Sequence, residues 1–357
     1  MAPKIAGIRV SGVGEREAPV KAGEGGAVAQ VMITGGAGFL GSRLARALLA
    51  AGSLEVAGGG ARPLRRVTLV DQAPVPGDLA ADERVTAIRG DLGELLGSGR
   101  DVLDGTDVIF HLAAAVSGEC EADFDLGLRA NLHATESLLA SCRALGTSPV
   151  VVYSSSVAVF GGSQEHPLPP VVDDQTLPNP QTSYGTQKFI GEQLLADYTR
   201  KGFLRGRAIR LMTVTVRPGR PNAAASGFLS GIIREPLAGQ HAVCPVAPQT
   251  QVALASPARA IGGLLCAATS SDQAWGGRTA VNLPALTMTV GGMAAALERV
   301  AGPEVSALID WVPDPAVARM FATWPGTVRS ERAARLGLTP DPDFDSVIEM
   351  HLAESRT

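Results

Sequence analysis

Tyr184 and Lys188, in the run Ser183-Tyr-Gly-Thr-Gln-Lys188, form the most reactive spacing in the chain. Side chains four residues apart share a helix face, so this spacing brings a phenol and an ammonium together. A positive charge stabilises phenolate, and a tyrosine that ordinarily titrates near about 10 then becomes a base at working pH. Upstream, Ser154-Ser155-Ser156 closes an apolar run, and a hydroxyl there can hold a substrate alcohol against such a base. Tyr-x-x-x-Lys also arises by chance on helices. The pair gains its meaning from the elements that must position it.

The first of these elements is a glycine turn. Val31-Met32-Ile33-Thr34 reads as a strand, Gly35-Gly36-Ala37-Gly38-Phe39-Leu40-Gly41 as a turn, and Ser42 to Ala51 as a helix. Strand, glycine turn and helix in that order form a dinucleotide-binding pattern. Gly35 permits the turn, Gly38 the approach of a pyrophosphate, and Gly41 close packing of the helix on the strand. The pyrophosphate is expected on the helix N-terminus, where N–H groups and the dipole favour anions. The strand Arg66 to Val70 ends in Asp71, an acid suited to ribose hydroxyls and opposed to a 2′-phosphate, which favours NAD over NADP. The long interval from Gly41 to Asp71 is expected to hold a surface loop at Gly58-Gly59-Gly60 and Pro63. A third strand, Val85 to Ile88, leads to Gly90-Asp91-Leu92; Asp91 reads equally as an adenine contact or a plain loop acid.

Further strands are expected at Asp107 to Leu112, Val150 to Tyr153 and Ala208 to Val216, with helices near Asp123 to Leu145 and Tyr184 to Gly202. The alternation implies an α/β fold, a doubly wound parallel sheet of Rossmann type, with ligands at the carboxyl ends of the strands. Three parts are expected: a flexible extension over 1–28, a nucleotide-binding domain over 29–217, and a smaller substrate lobe over 218–357. That lobe is expected to be helical at Ala223 to Leu237, Val290 to Val300 and Ser330 to Leu338, and to return to the sheet near 279–284.

The 357 residues include 31 basic and 35 acidic ones, a net charge of −4 with no run of like charge. Nucleic acid and anionic membrane are therefore unexpected as partners. No apolar stretch has the length of a bilayer span, and residues 1–28 lack a signal-peptide hydrophobic region. Cys120, Cys142, Cys244 and Cys266 show no metal-ligand spacing and suit a reducing cytoplasm. Glu119, Glu121, Asp123 and Asp125 read as an acidic helix start rather than a metal site, and no metal is expected. His111 reads as a core histidine; His133 and His351 read as surface groups on helices.

Taken together, Thr34 to Gly41, Gly90-Asp91-Leu92, His111-Leu112-Ala113-Ala114, Asn131, Ser154 to Gly161, Tyr184-x-x-x-Lys188 and Arg217-Pro218 resemble the extended short-chain dehydrogenase/reductases, the NAD-dependent epimerase/dehydratase family, over nearly all of residues 30 to 350. Within that family, several stretches are similar to D-erythronate dehydrogenases. They are Ala115 to Gly118, Glu121 to Leu126, Ser183 to Lys188, Pro221 to Ser226 and Ser230 to Leu237. The resemblance implies NAD-dependent oxidation of the C2 hydroxyl of a small sugar acid, D-erythronate to 2-dehydro-D-erythronate, in a cytoplasmic homodimer. It implies Tyr184 as base, Lys188 lowering its pKa and reaching the nicotinamide ribose, and Ser156 orienting the alcohol. It implies cofactor contacts from Gly35, Gly38, Phe39, Leu40, Gly41, Asp71, Asp91, Leu92, Ala113, Ala115, Asn131, Tyr184, Lys188 and Pro218. Asn131 also reads as the holder of a water or a backbone kink. The dimer is expected through the helices at Asp123 to Leu145 and Tyr184 to Gly202.

An anionic substrate requires a cation or a ring of donors. Arg220 and Arg259 each read either as a carboxylate-binding guanidinium or as a surface arginine. Ser117, Gly118, Ser156, Asn222 and Ser226 are further candidates for substrate contact. Three other functions compete: a nucleotide-sugar epimerase using NAD transiently, a dehydrogenase for another hydroxy acid or uronate, and a non-catalytic NAD-binding protein. The segment Leu254-Ala-Ser-Pro-Ala-Arg259 lacks the second-lobe pattern expected of the epimerases, and an intact Ser156, Tyr184 and Lys188 is not what a sensor requires.

Overall fold

Short apolar runs alternating with helices pack as a parallel sheet covered on both faces. The computed structural model, which describes residues 28–98, 102–219 and 225–355, has this arrangement. β1 (Ala29–Thr34) leads into α1 (Phe39–Ala51), followed by β2 (Ser53–Glu55), β3 (Ala61–Asp71), α2 (Gly77–Ala80), β4 (Val85–Arg89), α3 (Leu92–Gly97) and β5 (Val108–His111). α4 (Ser117–Ala122) and α5 (Phe124–Gly127) run through a π-helical turn, Leu128–His133, into α6 (Ala134–Leu145). β6 (Val150–Ser156), α7 (Ser183–Arg200) and β7 (Arg205–Leu211) follow.

The chain continues through β8 (Thr213–Val214), α8 (Gly227–Leu237), β9 (Ala242–Cys244), β10 (Gln251–Ala255), α9 (Pro257–Thr269), α10 (Asp272–Trp275) and β11 (Val281–Asn282). It ends with β12 (Leu286–Thr289), α11 (Val290–Ala301), α12 (Pro303–Ser306), β13 (Ile309–Trp311), α13 (Pro315–Ala322), α14 (Glu331–Arg335) and α15 (Phe344–Ser355).

The main sheet runs β11-β7-β6-β5-β1-β3-β4, with every neighbouring pair parallel. β2 adds an antiparallel edge on the first residues of β3. The long interval before Asp71 is thus a hairpin: Gly58 to Gly60 form its exposed turn, whereas Pro63 lies within β3, opposite Ser53. Successive side chains on a strand face opposite ways, and the core divides accordingly. Val31, Ile33, Leu69, Val108, Phe110 and Val152 pack with α1 and α9. Met32, Val70, Ile109, Val151 and Tyr153 pack with α3, α6 and α7. Helix α9 lies beyond residue 217, yet its Ala260, Leu264 and Ala267 complete the sheet's first face, which α1 alone leaves partly uncovered.

A separate core joins α8, α11, α13 and α15 through Leu229, Ile233, Met293, Leu297, Phe321 and Ile348. Small sheets β12-β10-β8 and β13-β9 support it. Among the described residues no helix is long and apolar enough to cross a membrane. The strand order reverses between β1 and β5, and their last residues, Thr34 and His111, are register partners. In open α/β sheets, ligands bind above such a reversal.

Candidate active site

A cavity of about 650 Å³ opens at that point. Gly35, Gly38, Phe39, Leu40, Gly41, Asp71, Asp91, Leu92, Ala113 and Ala115 line one side of it. Gly35 has φ +72°, and a Cβ on Gly41 would fall 2.0 Å from the Gly35 carbonyl oxygen, so the turn closes only without side chains. The N-cap of α1, Gly38, offers no side-chain acceptor, and the first turn of α1 carries no acid. Its N–H groups are therefore available to an external anion. Asp71 accepts from Ala37 N (3.0 Å) through one carboxylate oxygen and from Ala73 N (2.9 Å) through the other, which fixes the acid beside the turn. These features fit a dinucleotide with free ribose hydroxyls. Asp91 caps α3 by accepting from Gly93 N and Glu94 N, and also accepts from Gln72 Nε2 (3.0 Å).

Buried polar side chains set the floor. Thr135 Oγ donates to Asn131 O (2.6 Å), so it accepts from His111 Nε2 (2.9 Å). His111 Nδ1 is then the acceptor, and Thr34 Oγ donates to it (2.7 Å). Thr34 Oγ in turn accepts from Leu112 N and Ala113 N, each at 3.2 Å, and holds the loop that lines the cavity. Burial, with the Lys188 charge adding to it, pushes His111 down to about 3, so the ring stays neutral. Asn131 accepts from Ala115 N (2.8 Å) and donates to Ala115 O (3.2 Å) and Gln187 Oε1 (2.8 Å). It sits in the π-helical turn, a distortion that aims its amide at this loop.

Ser156 ends β6, and Tyr184 opens α7 beside it. A Cβ on Gly185 would lie 2.1 Å from Ala158 O, so this glycine lets the helix approach the strand end. The start of α7 is fixed twice: Thr182 Oγ accepts from Gly185 N (3.1 Å), and Glu121 Oε1 accepts from Ser183 N (2.7 Å). Lys188 Nζ donates to Ser154 O (2.9 Å) and lies 5.7 Å from the Tyr184 ring centre. One turn further along, Glu192 accepts from Ser155 Oγ and pairs with both Arg210 Nε (2.8 Å) and Arg210 Nη2 (2.7 Å). Two clamps, four residues apart on α7, therefore hold β6 and α7 in register.

Burial outweighs the groups that favour the Tyr184 phenolate. Burial pushes Tyr184 up to about 12, against the Ser156 hydroxyl and Arg217 charge, which favour phenolate. Burial likewise pushes Lys188 down to about 8, with Cys120 and Glu192 opposing it. Lys188 gives one N–H to a neutral backbone carbonyl and keeps its charge close to the Tyr184 ring.

The opposite wall comprises Ser117, Ser156, Tyr184, Lys188, Arg217, Ser226 and Trp324. Ser117 Oγ accepts from Ala225 N (3.1 Å), joining the loop after β5 to the second lobe. Arg217 and Trp324 are absent from the substrate contacts that sequence reasoning picks out. Arg217 belongs to a dipeptide that signals the fold, which hides its charge; Trp324 is remote in sequence and has no local pattern.

A model of the NAD dependent epimerase/dehydratase family matches residues 31–252. The chain belongs to this family. Over 327 residues it is 49% identical to a D-erythronate dehydrogenase from Cupriavidus necator, covering 91% of the chain and 98% of the relative. A D-erythronate dehydrogenase from Haemophilus influenzae is 37% identical over 324 residues, 90% of the chain and 98% of the relative. A solved nucleoside-diphosphate-sugar epimerase from Agrobacterium tumefaciens superposes with a TM-score of 0.84 at 40% identity, covering 96% of this chain and 98% of the other.

Several residues expected to act in this member of the NAD-dependent epimerase/dehydratase family stand elsewhere. Asn131 is 1% exposed and acts on the loop, not at the cavity wall. Gly118 and Pro218 are not on the wall either. Arg259 is turned away: it donates to Thr339 Oγ (3.1 Å) and lies 3.6 Å from Asp341. Arg220 and Asn222 lie outside the described residues, as do residues 1–27 of the expected extension. His351 is buried rather than at the surface, and its pKa is lowered by burial. Glu119 accepts from Val116 N (2.9 Å) and Asp123 from Leu126 N (2.9 Å), so these acids serve helix starts.

Proposed function

We propose that the protein oxidises the C2 hydroxyl of D-erythronate to the 2-keto acid, with NAD as acceptor. One observation carries this reading: Ser156, Tyr184 and Lys188 share a cavity with the glycine turn and Asp71. The two D-erythronate dehydrogenases, which the chain matches over nine-tenths of its length, support the substrate.

The Gly35–Gly41 turn and the N-terminus of α1 bind the pyrophosphate, and Asp71 binds the ribose hydroxyls. Bound NAD supplies the hydride acceptor, and its oxidised ring is cationic. Ser156 orients the substrate alcohol, and Tyr184 takes the hydroxyl proton onto its phenolate oxygen as the C2 carbon becomes a carbonyl. Lys188, anchored on Ser154 O, keeps a cation beneath the phenol. Trp324 lines the cavity from the second lobe, where its indole would limit water at the reacting centre.

The test is NADH absorbance with C4 to C6 aldonates in both D and L forms. Stoichiometric NADH with D-erythronate is expected. No NADH with any aldonate, together with interconversion of a UDP-sugar, would replace this reading with epimerisation, the activity for which the Agrobacterium relative is named. Phe124 on α5 and Ile190 on α7 are 59% and 38% exposed, which supports a homodimer through these helices; sedimentation tests it. Four free cysteines support a cytoplasmic location.

A further inference from the structure

We propose that Arg217 binds the substrate carboxylate beside the base and so selects 2-hydroxy acids over neutral alcohols, a role that rests on the reaction proposed above. In a 2-hydroxy acid the carboxyl carbon is bonded directly to the carbinol carbon. The cation that receives the carboxylate must therefore adjoin the group that receives the hydroxyl proton. Arg217 meets this requirement: it lines the same cavity as Ser156 and Tyr184, and its charge acts on the Tyr184 phenol.

The guanidinium is held before any ligand arrives. Arg217 Nε donates to Val214 O (2.9 Å), its backbone N donates to Ser230 Oγ (3.0 Å), and its carbonyl accepts from Arg234 Nη1 (2.7 Å). Arg207, Arg210, Arg234 and Arg259 each have a carboxylate within ion-pair distance. Arg217 has none among the described residues. Burial pushes its pKa below the ordinary arginine value. A half-buried cation without an anion is costly, and a ligand carboxylate relieves that cost with charge-assisted hydrogen bonds.

The experiment uses the full chain, with D-erythronate and its neutral amide titrated calorimetrically onto the NADH complex and also assayed as substrates. The wild type is expected to prefer the acid. Arg217→Met is expected to lose that preference, with a roughly 10- to 150-fold weaker hold on the acid and little change for the amide. Arg217→Lys keeps the charge without the fork; it is expected to retain part of the preference and serves if Arg217→Met does not fold. Equal binding of acid and amide by the wild type, or an undiminished preference in both variants, overturns the proposal. Absence of NADH from D-erythronate alone removes the proposed substrate, and the acid–amide titration still decides the role of Arg217.

Discussion

The two sides of the cavity are built in different ways. On the cofactor side, each contact lies within a few residues of its own strand end: Gly35 to Gly41 after β1, Asp71 at the end of β3, Asp91 after β4. Backbone N–H groups hold the two acids in place. On the substrate side, Ser117, Ser156, Tyr184, Arg217, Ser226 and Trp324 come from six separate segments, and buried side-chain networks keep them together. A local turn can be kept while the distant wall changes. In the proposed reaction the nucleotide half would hold the hydride acceptor, and the assembled half would supply the base and the substrate contacts. Tyr184 stands at the seam.

Tyr184→Phe gives the largest expected change. Loss of the proton acceptor lowers kcat by roughly 10²- to 10⁴-fold, while the affinity for NADH, measured by fluorescence titration, stays within twofold. Because burial holds the phenol up to about 12, the phenolate fraction grows with pH across the accessible alkaline range. The wild-type kcat/KM is expected to climb with pH, and the variant's to stay flat. Equal losses in NADH affinity and kcat would break the division between the two sides.

Glu192→Gln probes the network behind the substrate wall. It leaves the Arg210 guanidinium buried without its carboxylate, and half-removal of a buried pair costs about 3–5 kcal/mol. The urea midpoint is expected to fall accordingly. An unchanged midpoint would show that Arg210 has another way to satisfy its charge and that the clamp is dispensable.

The same division governs what the sequence makes legible. The glycine turn, Asp71 and the Tyr184–Lys188 pair are contiguous or one helical turn apart, so spacing alone exposes them. The hairpin of β2 and β3 is obscured because Gly58 to Gly60, its turn, and Pro63 look like one loop, although Pro63 is paired across the sheet edge. Asn131 is legible as a holder of the backbone, but its partner, Ala115, is set by the π-helical turn that aims it. Arg217 and Arg259 carry identical charge in sequence; only the fold gives Arg259 an acid, Asp341, and leaves Arg217 at the cavity. The balance between burial and charge at Tyr184 likewise depends on distances that no spacing encodes.

His111 lies beneath the boundary of the two sides, and its effect is on stability. Its folded pKa is depressed to about 3 from 6.5. Between those values the unfolded chain binds a proton that the native chain refuses, so its contribution is present above pH 6.5 and is lost as pH falls toward 3. The slope from this one group is about 1.4 kcal/mol per pH unit. His111→Gln, which cannot titrate, is expected to flatten the stability–pH curve by one proton over that window in denaturant titrations. An unaltered slope would assign the acid sensitivity to other groups.

Asp71→Asn is expected to have the smallest effect and tests the independence of the cofactor side most directly. Asp71 accepts from Ala37 N with one oxygen and from Ala73 N with the other, so its charge also shapes the glycine turn. An asparagine keeps one acceptor and places an amide N–H against the remaining backbone donor. The loss of one charge-assisted hydrogen bond and of the repulsion toward a 2′-phosphate should raise the KM for NAD about tenfold and narrow the preference over NADP. At saturating NAD, kcat and the KM for D-erythronate should remain unchanged, because no substrate contact passes through this acid. A parallel rise in the D-erythronate KM would mean that the glycine turn and the Arg217 wall move as one body, and the contrast between a local cofactor side and an assembled substrate side would not survive it.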